Sequence, residues 1–206
     1  MLKLITALAL GLLLTGCGIG GGGASRAEKN QPAVAYPPLR VVEINVTVPR
    51  SLEVSEANRY YPGGDIVWRE DPYGDRHAQV QAIVQDAMET GTAGMTGASA
   101  VTLDVEVLRF HALTQKARFT TGGVHSLTLA YVVRNAKTGE PLAPRRVFSS
   151  DLKAFGGEEA IAAMQRGETQ KVRITAHMAR AIREELTVPG GHKNAKLGIF
   201  QKINKF

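Results

Sequence analysis

A cluster of polar and aromatic residues between positions 68 and 76 has the residue types that bind partners or move protons. It consists of Trp68, Asp71, Asp75 and Arg76. Tryptophan and arginine are favoured anchors of protein interfaces, and two aspartates four residues apart could act as a general acid and base. No nucleophile motif and no oxyanion motif accompanies these aspartates. The cluster therefore predicts a partner-binding loop in preference to a hydrolytic site.

The same four residues also have a purely structural interpretation. A helix could begin at Asp71-Pro72 or at Asp75, because aspartate caps helix N-termini and proline fits the first helical turn. In that case Trp68 packs on the domain, and the carboxylates interact with the helix dipole. The sequence leaves both interpretations open.

The histidines offer a second possible chemistry. His111 and His125 would face each other if residues 114–121 turned a hairpin, and two imidazoles on adjacent strands can bind a metal. A zinc site needs a third and a fourth ligand, which this pair lacks, and no HExxH motif occurs in the sequence. We therefore expect core or cross-strand packing for both rings, and neither a metal nor a cofactor.

The N-terminal residues predict the compartment. Lys3 precedes about ten apolar residues, a run that suits a secretory signal and is too short to cross a bilayer. The segment Leu14-Thr15-Gly16-Cys17 resembles the lipobox of bacterial lipoproteins. The resemblance implies that residues 1–16 are a signal peptide and that Cys17 becomes the lipidated first residue. Gly18, in place of the aspartate associated with inner-membrane retention, favours the outer membrane.

The residues after Cys17 predict a flexible connection followed by one domain. Residues 17–38 contain a glycine run and several prolines, which is typical of a tether. Residues 39–188 carry the strand and helix patterns of a single domain. Because the chain has one cysteine, no intramolecular disulfide can stabilise that domain.

Residues 189–206 form a basic C-terminal tail with four lysines and no acidic residue. Apolar residues recur every three positions, which roughly follows one face of a helix. Such a tail could lie on an anionic membrane, dock on a partner, or remain a frayed terminus. Its candidate binding residues are Lys196, Phe200, Lys202 and Phe206.

The overall charge excludes little by itself. The formal net charge is +6, and the basic residues are spread along the chain. A nucleic-acid-binding protein concentrates its lysines and arginines on one face, so we expect no nucleic-acid partner.

Hydrophobic periodicity predicts the elements that position these residues. An alternating run over 39–48 indicates a strand, residues 65–68 a short extended piece, and an apolar stripe from Val80 to Met88 a helix that ends near Gly91. In the run from Val101 to Ala112 the parity of the apolar positions switches, which predicts a β-bulge near Arg109.

Two further strands and a second helix complete the domain. The strands are expected over 124–133 and 141–152, and the helix is capped by Thr169 with Val172, Thr175, Met178, Ala179, Ile182 and Leu186 on one face. The order β-α-β-β-β-α predicts an α+β fold, with an antiparallel sheet of about four strands and two amphipathic helices on one face.

Three segments together carry a family resemblance. The string DIVWREDPYGDR at 65–76, together with RFHALT at 109–114 and GGVH at 122–125, resembles an uncharacterised family of alphaproteobacterial lipoproteins. That family implies no activity. The lipobox, tether and α+β domain are also similar in architecture to the auxiliary lipoproteins of ABC-type transport systems, a likeness that transfers no residue.

The sequence therefore predicts a non-enzymatic outer-membrane lipoprotein that faces the periplasm. We expect it to be an accessory or scaffold subunit of an envelope complex, with a transport system as the leading host. The alternative is a carrier that holds a lipid or another hydrophobic ligand between sheet and helices. An envelope hydrolase is the least supported hypothesis, and the sequence does not indicate an oligomeric state.

Overall fold

The computed structural model describes residues 31–199 and residue 201. In this part of the chain a sheet of six strands is accompanied by four helices. In chain order they are β1 (Leu39–Thr47), β2 (Ile66–Val67), α1 (Arg76–Thr92), β3 (Ser99–His111), α2 (Gln115–Arg118), β4 (Gly123–Asn135), β5 (Arg146–Ser149), β6 (Leu152–Ala154), α3 (Gly157–Gln165) and α4 (Gln170–Thr187). The α+β class is confirmed.

The sheet is mixed, so the prediction of a purely antiparallel sheet was wrong. Strand β4 runs antiparallel to β3, β5 and β6, as expected for strands joined by short connections. Strands β1 and β2 both pair with β3 in parallel. The reason is α1, which crosses over between β1 and β3 and returns the chain in the same direction.

The described elements outnumber those predicted. The segment expected to form one strand over 141–152 is divided into β5 and β6. Residues 114–121, considered as a hairpin turn, contain the short helix α2, which Thr114 caps. Helix α3 was not predicted, because its small apolar residues give it only two buried positions, Ala160 and Ala163.

Two bulges set which side chains face the core. The pairing of β3 with β4 shifts between Val107 and Arg109, which confirms the bulge predicted from the change of parity. A second shift lies in β1 between Val41 and Glu43. It leaves Val42 50% exposed, although a regular alternation with Ile44, Val46 and Val48 would place Val42 on the buried side.

One hydrophobic core fills the space between the sheet and the paired helices α1 and α4. Helix α1 buries the stripe that was predicted for it, and α4 begins at the predicted cap Thr169. Val172, which was predicted on the apolar face of α4, is 51% exposed. Ile174 lies in the core instead. Gly91 lets the two helices touch, because a Cβ there would lie 2.5 Å from the Ala179 carbonyl oxygen.

Both edges of the sheet are covered by side-chain carboxamides. On the β1 edge, Gln81 Nε2 donates to the Val46 carbonyl at 2.9 Å and Gln85 Nε2 to the Ile44 carbonyl at 3.4 Å. On the β5 edge, Gln31 binds both the carbonyl and the N–H of Val147, at 2.7 and 2.8 Å. A carboxamide mimics a peptide group, so these contacts occupy backbone positions that another strand could otherwise use.

Glu185 near the end of α4 joins both described chain ends to the domain. Its carboxylate is buried and accepts hydrogen bonds from the Tyr131 hydroxyl at 2.9 Å and the His192 N–H at 2.8 Å. Arg146 Nε lies 3.6 Å from the same carboxylate, and Arg146 Nη1 donates to the Pro32 carbonyl at 2.6 Å. Burial and the nearby Glu185 charge raise the pKa of Tyr131, so its hydroxyl remains a donor.

Candidate functional site

The predicted cluster borders an open cleft of about 470 Å³, which we call the Tyr73 cleft. The β2–α1 loop forms one wall, and the loop before β2 together with α2 contributes the other. The cleft is lined by Glu56, Arg69, Glu70, Asp71, Pro72, Tyr73, Arg76 and Gln115. Two of the four clustered residues, Asp71 and Arg76, are therefore part of it.

Trp68 lies beneath the cleft and not on its surface. Its side chain is 0% exposed and meets the Phe110 ring edge-to-face at 5.8 Å. The indole Nε1 donates to Asp71 Oδ2 at 2.8 Å. The prediction that Trp68 contacts a partner disagrees with this burial, because the residue directly after β2 points into the core.

Asp71 holds the β2–α1 loop against α4. Its second oxygen, Oδ1, accepts from Lys171 Nζ at 2.5 Å. Burial alone would raise the pKa of this carboxyl, but the hydrogen bonds from Lys171 and Trp68 outweigh burial and lower the pKa. Asp71 is therefore ionised at neutral pH and unavailable as a proton donor.

Arg76 is one of two arginines that line the cleft, and it is only 5% exposed. Its Nε donates to Glu56 Oε1 at 2.6 Å, and its Nη1 donates to the carbonyls of Asp71 and Pro72 at 3.2 and 3.1 Å. The other oxygen of Glu56 accepts from Arg69 Nη1 at 2.9 Å. One carboxylate thus fixes two guanidinium groups that line the cleft.

Asp75 has the structural role that the sequence left open. Its side chain accepts from the Ala78 N–H at 3.1 Å and so caps α1, and it forms a two-point ion pair with Arg50 at 3.0 and 2.8 Å. The hydrogen bonds from Arg50 and then from the Ala78 backbone lower the pKa of Asp75 to about 2. A candidate partner residue in the sequence therefore acts as a helix cap in the structure.

Glu70 connects the cleft to the start of α4. Glu70 Oε2 accepts from the Lys171 N–H at 2.8 Å, and Glu70 Oε1 lies 3.3 Å from Arg118 Nη1. The helices α1, α2 and α4 therefore meet around the cleft through ion pairs and hydrogen bonds.

Exposed tyrosines lie at the cleft and on the loop before β2, and sequence analysis did not identify them as candidates. Tyr73 is 87% exposed on the wall of the cleft, and the Arg76 guanidinium lies 5.7 Å from its ring centroid. Tyr60 and Tyr61 are 41% and 52% exposed, and Lys116 Nζ lies 4.7 Å from the Tyr60 ring centroid. The available signal was the position of these aromatic residues beside Pro62, Pro72 and Gly74, in turns where no core can cover them.

The cleft is suited to binding a polar ligand, and the charged side chains in its walls already form ion pairs within the domain. Each of its carboxylates, from Glu56, Glu70 and Asp71, is engaged by an arginine or a lysine. Within the described residues no group of three or more histidine, cysteine, aspartate or glutamate side chains could hold a metal ion.

His111 and His125 do not face each other. His111 pairs with Ser126 across the β3–β4 ladder, so His125 is one position out of register and points to the opposite face. His111 Nε2 contacts the Pro62 carbonyl at 3.0 Å, whereas neither ring nitrogen of the fully buried His125 has a hydrogen-bond partner in the described structure. The predicted pairing of the two histidines was wrong because α2 replaces the expected hairpin turn.

The start of the basic tail lies against the connection between β5 and β6. Asp151, directly before β6, accepts from Asn194 Nδ2 at 3.0 Å and from Gln201 Nε2 at 2.7 Å. Lys196 is exposed on this segment. The candidates Phe200, Lys202 and Phe206 and the lipidation candidate Cys17 lie outside the described residues. None of the described helices is long and apolar enough to cross a membrane.

A family model matches most of the chain. The family of unknown function DUF6778 matches residues 39–202, and no curated protein matches the chain.

Three solved structures are similar to this chain at low scores. A Xanthomonas campestris protein of family DUF330 is 12% identical, with a TM-score of 0.39 over 73% of this chain and 85% of that one. A candidate lipoprotein of Caulobacter crescentus is 16% identical, with a TM-score of 0.33 over 50% and 76%. The dodecameric PelC of Paraburkholderia phytofirmans is 13% identical, with a TM-score of 0.30 over 71% and 94%. These scores are too low to transfer a partner, an assembly or a location.

Replacing Asp71 by alanine should destabilise the domain by about 1–3 kcal/mol, because the buried Trp68 N–H loses its acceptor and Lys171 its counter-ion. Urea unfolding followed by fluorescence measures this directly, since Trp68 is the single tryptophan of the chain. Asp86, exposed on α1, is the matched control, and its change to alanine should cost less than about 0.5 kcal/mol. Equal losses in the two variants would contradict this role for Asp71.

Stability should fall as the pH is lowered from 6.5 towards 4. Burial lowers the pKa of His111 and His177 to about 4 and of His125 to about 3, from an ordinary value of 6.5. Each ring is therefore neutral in the folded domain and takes up a proton on unfolding, which lowers the free energy of unfolding throughout this range.

The variant His125→Leu isolates one of these protons. Between pH 6 and 4.5 its free energy of unfolding should depend less steeply on pH than that of the wild type, by about 1.4 kcal/mol per pH unit. Urea titrations at a series of pH values give this slope. An unchanged slope would show that His125 does not take up a proton on unfolding.

Proposed function

The chain belongs to the family of unknown function DUF6778, and we propose that it is a non-enzymatic, lipid-anchored accessory subunit of a cell-envelope complex. Its partner is a protein segment that binds at the Tyr73 cleft. The observation that carries this proposal is the exposure of Tyr73 beside charges that the fold has already fixed in place.

A protein partner suits the residue types at the cleft. Tyrosine and arginine are enriched among the residues that contribute most to interface affinity, and Tyr73 adjoins Arg76 there. Tyr60 and Tyr61 are further exposed aromatic residues, on the loop before β2. Because the Tyr73 ring is 87% exposed, it contributes little to the stability of the folded domain. A role in binding therefore accounts for Tyr73 better than a role in folding.

The fixed charges favour binding because they do not have to be ordered on association. Glu56 holds Arg69 and Arg76 at hydrogen-bond distance, and the Lys171–Asp71 pair fixes the loop that presents Tyr73. Ordering long side chains at an interface costs about 0.5–1.5 kcal/mol each, and this arrangement removes much of that cost. The partner that fits is a polar segment with charged side chains.

The described residues give more support to a binding role than to catalysis or transport of a ligand. The carboxylates of the cleft are occupied by cations, which leaves no free general base among its lining residues. The space between sheet and helices, where a carrier would hold its ligand, is filled by core side chains such as Leu129, Met88 and Met178.

The proposal also includes a lipid anchor and a location at the outer membrane. The lipobox-like Leu14–Cys17 segment supports acylation of Cys17, and Gly18 supports sorting to the outer membrane, with the domain facing the periplasm. The first described residue, Gln31, lies on the β5 edge, whereas the cleft lies beyond β2 on the other side of the sheet. An anchored domain can therefore present the cleft to a partner, and a transport system is the leading host.

Affinity purification of the full lipoprotein from detergent-solubilised envelopes tests this function, with co-purifying proteins quantified by mass spectrometry. Tyr73→Ala should reduce recovery of the specific partner at least about ten-fold, because a central tyrosine contributes roughly 2 kcal/mol or more to affinity. Leu142→Ala is the matched control, since Leu142 is 41% exposed on the β4–β5 connection, away from the cleft.

Cys17→Ser, which cannot be acylated, shows which proteins depend on the anchor. If Tyr73→Ala recovered every protein that the wild type recovers, in the same amounts, the cleft would not be the partner site. Recovery of a co-purifying lipid without any protein would replace this function with that of a carrier.

A further inference from the structure

Both described ends of the chain lie against the same part of the domain. Arg146 donates to the Pro32 carbonyl and sits beside Glu185, and Glu185 in turn accepts from the His192 N–H. The tail then continues to the connection between β5 and β6, where Asn194 and Gln201 bind Asp151. The segment that leads to Cys17 and the start of the basic tail therefore emerge side by side.

Exposed cations without acidic partners lie next to this point. Lys193 and Lys196 are exposed on the tail, and neither forms an ion pair with a carboxylate of the described residues. Arg180 on α4 contacts His177 at 3.4 Å, and the His177 ring meets the His192 ring at 5.9 Å, which places Arg180 beside the tail. The neighbouring acid Glu184 is engaged by His192 Nδ1 at 2.6 Å.

Several other surface arginines of the domain are paired with acidic residues. Arg134 pairs with Asp104, Arg145 with Glu106 and Arg166 with Glu168. The tail differs because the sequence has no acidic residue after Glu185, while four lysines follow it. Positive charge therefore accumulates at the place where the chain ends leave the domain.

We propose that Arg180, Lys193 and Lys196 form a basic surface that binds anionic lipid headgroups beside the membrane anchor. Ile199, which is 67% exposed, supplies an apolar contact of the kind that interfacial segments insert among headgroups. The 14 residues from Gly18 to Gln31 reach at most about 50 Å, so an anchored domain stays close to the bilayer but can rotate. The basic surface orients the domain so that the β5 edge faces the lipid and the Tyr73 cleft faces away.

This inference rests on the proposed anchor for its biological setting, but its test does not use the anchor. The chain from residue 17 onward with Cys17→Ser is mixed with phosphatidylcholine vesicles, with or without phosphatidylglycerol, and sedimented. It should bind the vesicles that contain phosphatidylglycerol, bind pure phosphatidylcholine much more weakly, and dissociate as salt is raised.

Charge reversal should then identify the surface. Lys193→Glu with Lys196→Glu should weaken binding to the anionic vesicles at least about ten-fold, since each lysine near an anionic surface contributes about five-fold. Arg40→Glu with Lys137→Glu is the matched control, because it changes the net charge equally at exposed residues on β1 and on the β4–β5 connection. The control should bind within about two-fold of the wild type.

Three results would overturn the proposal: equal binding to both kinds of vesicle, equal losses in the two double variants, or unchanged vesicle binding by the tail variant together with loss of a protein partner. If the tail variant failed to fold, as judged by circular dichroism, Lys193→Gln with Lys196→Gln would be compared instead. None of these variants touches the Tyr73 cleft, so the vesicle result and the purification result can fail separately.

Discussion

A carboxylate removed from water is stable only where donors and positive charge surround it, and Glu185 imposes that requirement on the domain. It is 4% exposed, and its partners come from β4, from β5 and from the turn after α4. Removing one partner of such a buried group costs several kcal/mol, so these elements are held together. Gly191 belongs to the same constraint, because a Cβ there would lie 2.6 Å from Glu185 Oε1.

Helix α4 connects this buried charge with the Tyr73 cleft. Lys171 in its first turn binds Asp71, and Glu185 follows 14 residues later, about 21 Å along the helix axis. Pro32 and His192 are thus held near one end of the helix, through Arg146 and Glu185, and the cleft loop at the other. In the proposed arrangement of an anchored adaptor, the side that faces the membrane is therefore not the side that binds a partner.

The elements that depend on local patterns could be predicted from the sequence. The cap at Thr169, the α1 stripe, the apolar run of β4 and the bulge near Arg109 are all encoded within a few residues. The cleft depends on contacts between distant segments, such as Arg76 with Glu56, and no spacing rule gives those. The same limit explains Trp68 and Asp75. Their residue types suit an interface, but a core position after β2 and a cap for α1 suit them equally well, and only the packed fold distinguishes these roles.

Photo-crosslinking of the full-length chain in intact cells tests the two-sided arrangement most directly. A photoreactive amino acid placed at position 73 in one variant and at position 196 in another reports the neighbour of each side. We expect position 73 to yield a discrete protein adduct and position 196 to yield lipid adducts. Lipid adducts from position 73, or the same protein adduct from both positions, would contradict the account.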